Sequence, residues 1–178
     1  MAAISVVNAF QLNEPKSPEL AALLLDIGAY STSINFIHQG IPLITRIIRF
    51  GGAQLTEYIG QMSGVQADAA ELEKIAISDS TQALARTAIE PLAREIRSSI
   101  DFFERQHDCR VGSAFACGGS ATSEFLVRII SETVGIELKR WNPSEHLDIS
   151  RLNGEKPQLE IVGPSLAAAV GVAASRLA

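Results

Sequence analysis

Cysteine is scarce: the 178 residues contain two, Cys109 and Cys117. Two cysteines do not make a disulfide framework in a chain of this length, so the core must come from apolar burial. Both are read as reduced thiols, with Cys117 packed inside, which suits a reducing compartment. No apolar run approaches the roughly 18 residues of a membrane-spanning helix. The apolar start, Met1 to Phe10, has neither the basic flank nor the cleavage pattern of a secretory signal. Positive charge is in the minority, 15 Lys and Arg against 20 Asp and Glu for a net charge of −5. No basic stripe interleaved with aromatics occurs, which argues against nucleic acid as a partner. His38, His107 and His146 stand far apart with no cysteine cluster nearby, so no His/Cys metal site is expected. None of the serines sits in a nucleophile elbow.

What is present is a globular composition, 47% apolar and 20% charged. Residues 4–12 read as a short apolar helix or strand, followed by a polar connector to Glu19 with Pro15 and Pro18. Leu23 to Gly28 is a compact apolar run ending in an acid and a glycine, the pattern of a buried strand. Alternation through Ile34, Phe36 and His38, a Gln39-Gly40 turn and further alternation from Ile41 to Phe50 predict a hairpin. Ala53 to Met62 has helical spacing, and Asp68 to Glu71 forms a capping box opening a second short helix over 69–77. Leu84, Ala85, Ile89, Leu92, Ile96, Ile100 and Phe103 predict one long amphipathic helix, broken or kinked at Pro91. Val111 to Cys117 then reads as a strand, Gly118-Gly119 as a tight turn, 122–133 as a helix and 136–138 as a short strand. Residues 140–160 read as a loop excursion, and 165–177 as a last helix with Pro164 in its first turn.

Three glycine segments fall at strand ends. Asp26-Ile27-Gly28-Ala29-Tyr30-Ser31-Thr32 lies between the first two strands. Small residues there let backbone N–H groups approach phosphate oxygens, and a carboxylate at a strand tip can hold Mg²⁺ through water. Gly51-Gly52 opens a helix, where free amides and the helix dipole favour an anion. Cys117-Gly118-Gly119-Ser120 is a strand running into a double glycine. Each alone also fits an ordinary hairpin or tight turn, and the three in this order are more specific. Tyr30, beside the small Gly28 and Ala29, would narrow the first loop. Glu71, Glu73 and Lys74 read as a solvated helix face.

Three antiparallel strands followed by two β-α units is the order of the ribonuclease-H-like core that the actin, chaperone and sugar-kinase superfamily uses twice. The segments 25–29, 50–56, 117–121, Asn142-Pro143 and Ala168 with Gly171 resemble, in order, the second half of the PilM family of type IV pilus assembly, and Asn8-Ala9-Phe10 and Ser99 to Phe103 also match it. That resemblance covers roughly residues 4–177. It implies an α/β lobe with a five-stranded mixed sheet flanked by helices and a helical insertion at about 53–80. It makes 1–19 an interdomain helix and connector and 20–178 the second of two lobes. It also implies ATP and Mg²⁺ bound between the lobes, with Asp26 (Mg²⁺ through water), Gly28, Ala29, Ser31, Thr32, Gly51, Gly52, Gly118, Gly119 and Ser120 on this side. The implied role is a cytoplasmic scaffold held to the inner membrane by partners, a PilN-like membrane protein and other assembly subunits, with self-association through the uncovered interlobe face. Two alternatives stand beside it: an interaction module that has lost nucleotide binding, with Tyr30 as its support, and half of a small-molecule kinase, whose base and substrate pocket these residues do not supply.

Overall fold

Residues 2–13, 19–66, 68–71, 78–148, 159 and 161–175 are described by the structure, a computed structural model. The strands are β1 (Ala21–Ile27), β2 (Thr32–His38), β3 (Ile41–Ile48), β4 (Val111–Cys117) and β5 (Leu138–Arg140). They form one sheet in the order β3-β2-β1-β4-β5. The first three pair antiparallel, while β4 lies parallel to β1 and β5 parallel to β4. This is the expected mixed sheet. The hairpin turns at Gln39 and Gly40, both with positive φ (53° and 78°), the geometry whose twist matches the flanking strands.

Alternation sends Leu23, Leu25 and Ile27 of β1, with Ile34 and Phe36 of β2 and Ala114 and Ala116 of β4, to one face of the sheet. Helices α2 (Gly52–Ser63), α3 (Asp79–His107) and α4 (Glu124–Val134) cover it. On the other face Leu24, Ile37, Phe115 and Cys117 meet Val6 and Phe10 of α1 (Ala2–Asn13), Ala167 of α5 (Ala167–Ala174) and Trp141. Strand β1 is thus buried on both faces, which is why it reads as a continuous apolar run rather than an alternating one.

Ser78 starts α3 by accepting from the Thr81 N–H, and Asp108 in the left-handed region (φ 48°) ends it. The expected break at Pro91 does not occur. Its ring lies on the exposed face of one continuous helix, where the missing N–H costs least because water is at hand. Helix α4 begins two residues later than the periodicity predicts. Gly119–Thr122 forms a 3-10 turn first, and the Ser123 side chain then caps the helix by accepting from the Leu126 N–H. Strand β5 falls at 138–140 instead of 136–138. Pro164 lies in a 3-10 turn, Gly163–Leu166, that leads into α5. Of the predicted helix at 69–77, residues 69–71 are helical. Its remainder, with Glu73 and Lys74, lies outside the described residues, as do Pro15, Pro18, most of 149–160 and residues 176–178.

Candidate functional site

The three glycine segments converge on one backbone carbonyl. In the β1–β2 loop the Gly28 N–H donates to Ser31 O at 2.9 Å. The Gly28 carbonyl accepts the Gly52 N–H at 3.0 Å and the Ser120 hydroxyl, 92 residues away in the chain, also at 3.0 Å. The Ala29 carbonyl accepts the Ala53 N–H at 2.8 Å. Gly51 packs so closely on this loop that a Cβ would lie 2.6 Å from Ala29 O. Gly118 packs against the strand tip with φ +94°, where a Cβ would lie 2.5 Å from Asp26 Oδ1 and 2.6 Å from Ile27 O. Its N–H donates to Pro164 O at 2.8 Å.

Above this floor is a cavity of about 400 Å³. Ala29 closes one end, and Gly52, Ala53, Leu55 and Thr56 of α2 form one wall. Gly119, Ser120, Thr122 and Ser123 with Phe125 and Leu126 of α4 form the other, and Glu71 stands at the rim. Of the ten expected site residues, Ala29, Gly52, Gly119 and Ser120 line the cavity, while Asp26, Gly28, Gly51 and Gly118 build its support. Ser31 is exposed on the loop. Thr32 is fully buried, and its hydroxyl donates to Phe50 O at 2.8 Å.

Two details differ from the sequence expectation. The amides of Gly51 and Gly52 do not face an anion, because Gly51 N–H donates to Gln54 Oε1 at 2.9 Å and Gly52 N–H to the Gly28 carbonyl. The N-terminus of α2 is docked on the first loop, whose carbonyls consume its orphan donors. Tyr30 does not narrow that loop. It is 74% exposed and absent from the described cavity lining.

Glu71, read as part of a solvated helix face, is exposed and also stands at the cavity, whereas Thr56 was passed over. In the structure Thr56 Oγ1 lies 2.5 Å from Glu71 Oε2 at the cavity wall. The available signal was the spacing, since Thr56 sits four residues after Gly52 and shares its helix face.

Asp26 sits opposite Ser33 on β2 and Cys117 on β4. Among the described residues no group donates to its carboxylate, and burial pushes its pKa above the usual 3.8. The Cys117 thiol is raised well above its usual 9.0, first by burial and then by the Asp26 charge. No group of three metal-ligating side chains occurs among the described residues. A lone carboxylate with unspent lone pairs therefore fits a hydrated Mg²⁺ rather than a direct protein cage. Gly119 has no neighbour within 4 Å of a would-be Cβ and no positive φ, so neither packing nor backbone strain demands a glycine. Its missing side chain leaves room in the cavity, which fits a nucleoside lying against the backbone.

The family model for Type IV pilus assembly protein PilM matches residues 2–177. A solved PilM-PilN type IV pilus biogenesis complex superposes with a TM-score of 0.82 at 28% identity, over 99% of this chain and 51% of that one. The ethanolamine utilization protein EutJ from Carboxydothermus hydrogenoformans follows with a TM-score of 0.68 at 18% identity, over 97% and 53%. An archaeal actin homolog in complex with ADP has a TM-score of 0.62 at 16% identity, over 98% and 55%. The last two show the shared fold, that of an actin-like ATPase lobe. The chain spans about half the length of each.

Proposed function

The chain belongs to the PilM family of type IV pilus assembly proteins, and on that premise we propose that it is the second lobe of a two-lobed nucleotide-binding scaffold. In this reading residues 20–178 form the lobe, 1–19 lead into it from the first, and the segment from α2 to about residue 80 is its helical insertion. The nucleoside lies in the cavity between α2 and α4. On this side Gly28, Ala29 and Ser31 of the first loop would stand nearest the phosphates, a first lobe would supply further donors, and Asp26 would hold Mg²⁺ through water. The bound metal would offset phosphate charge. The protein's part is to orient and enclose. Closure of two lobes on the nucleotide gives the shape that partners at the inner membrane read from the cytoplasmic side, a PilN-like protein among them. No helix among the described residues is long and apolar enough to cross a membrane, so in this reading membrane association runs through those partners.

Gly119 is the observation that carries the reading, because its empty side-chain position opens into the cavity with no structural use of its own. The experiment follows directly. Gly119→Val is expected to keep the unfolding midpoint while lowering MgATP affinity of the two-lobed protein at least about tenfold, a loss of about 1.4 kcal/mol. Unchanged affinity with an unchanged fold would remove the nucleotide from this cavity. The alternative of a module that has lost nucleotide binding drew on Tyr30, whose ring is exposed and outside the described cavity lining.

A further inference from the structure

Resting on the nucleotide reading above, we infer that Ser120 is a positioning residue, whose hydroxyl fixes the spacing of the two cavity walls by holding the Gly28 carbonyl. The walls come from distant parts of the chain. One is α2, which begins at Gly52, and the other is the 3-10 turn Gly119–Thr122 with α4 behind it. Between them stands the β1–β2 loop, and both dock on it. Helix α2 docks through main-chain groups, the Gly52 N–H on Gly28 O and the Ala53 N–H on Ala29 O. The opposite wall reaches the same Gly28 carbonyl through a side chain, the Ser120 hydroxyl at 3.0 Å. A carbonyl oxygen has two lone pairs, and here each is given to one wall. Gly28 O is the shared anchor, and Ser120 is the partner that a side-chain substitution can remove.

The turn that carries Ser120 is itself braced. The Ala121 N–H donates to Gly118 O at 3.1 Å, and the Thr122 hydroxyl donates to Gly119 O at 2.7 Å. The buried Ala121 side chain and the close packing of Gly118 on Asp26 and Ile27 seat its base. A turn held this way aims the hydroxyl at one target, and the Ser120 proton is spent on Gly28 O rather than on a ligand. Ser120 thus acts on binding through the Gly28 carbonyl. Removing its hydroxyl deprives a part-buried acceptor of one partner and cuts the polar tie between turn and loop. Walls that already stand at the bound spacing need no ordering when the ligand arrives, and ordering them then would cost affinity.

The test joins calorimetric titration of MgATP into the two-lobed protein with amide hydrogen exchange of the same protein without nucleotide. Ser120→Ala is expected to bind about three- to tenfold more weakly. It should also exchange faster at Gly52 and Ala53, on the wall opposite the substitution. Ser120→Thr keeps the hydroxyl and is expected to restore both. Weaker binding with unchanged exchange would make the hydroxyl a direct ligand contact, and faster exchange with unchanged affinity would make the bond purely structural. Either result, or no change in both, overturns this inference and leaves the nucleotide reading standing. So does a Ser120→Thr protein that behaves like Ser120→Ala. If the unsubstituted two-lobed protein does not bind MgATP, the nucleotide reading falls and the inference with it.

Discussion

At Gly118 the backbone has φ +94° and a methyl group would sit 2.5 Å from Asp26 Oδ1, while at Gly119 next to it the same methyl group would meet nothing. The two glycines are therefore expected to respond oppositely to substitution. Gly118→Ala combines a backbone penalty of about 1–3 kcal/mol for a positive φ with extended ψ, a region essentially kept to glycine, with overpacking of about 1–3 kcal/mol. It should lower the denaturation midpoint where Gly119→Ala does not, and equal midpoints would contradict the assigned contacts. Asp26 carries a pH signature. Its folded pKa is raised above 3.8 by burial, so the folded state holds the proton more tightly than the unfolded chain. Its contribution to stability is fully present below pH 3.8 and is lost as pH rises through the folded value. At neutral pH the ionised carboxylate thus costs stability, and Asp26→Asn should raise the melting temperature there, with the gain fading below pH 3.8. A variant no more stable at neutral pH would count against a strained, ligand-seeking Asp26. The residue types of this site were legible because glycines at strand ends have few uses. What consumes the Gly51, Gly52 and Thr32 donors was not, because each partner is fixed by how two segments dock rather than by local pattern.

Helix α1 shows how much the element level adds. Its sequence left helix and strand open, since a short apolar run has no decisive period. It is helical because it lies across the sheet beside α5, with Phe10 edge-on to Phe115 at 5.1 Å and to Trp141 at 5.3 Å. The two helices approach so closely at Gly171 that a Cβ there would land on the Ser5 carbonyl. Gly171→Ala is expected to push α1 off α5, costing about 1–3 kcal/mol. It should also change the emission of Trp141, the single tryptophan, as the Phe10 contact loosens. Denaturation followed by that fluorescence checks both, and wild-type stability would mean the helices part without cost. The strands, the hairpin and α3 were legible because their periods run for many residues. The start of α4 and the place of β5 were not, because a 3-10 turn and a Ser123 cap shift the boundary by two residues at Gly119–Thr122.

At the scale of the molecule the outstanding fact is proportion, 99% of this chain matching 51% of a chain of the PilM-PilN complex. In the two-lobed reading the face around Asp26 to Thr32 and Gly118 to Ser120 is the one a first lobe would cover, and Tyr30 is a large apolar side chain exposed there. Residues 1–178 on their own are expected to self-associate through that face, which sedimentation at several concentrations would detect as a rising average mass. A strict monomer would count against an uncovered interlobe face. In that reading a first lobe would matter most for the phosphates. Each charge-assisted hydrogen bond it would supply is worth about 1.5–3 kcal/mol, so losing two or three weakens binding by several powers of ten. The most direct measurement is a calorimetric titration of MgATP into the chain alone and into the same chain joined to its first lobe. The account predicts millimolar or weaker affinity and no hydrolysis for the chain alone, firm binding for the joined protein, and loss of that binding in Asp26→Ala. Micromolar affinity for the chain alone, or normal binding by the joined Asp26→Ala protein, would contradict it.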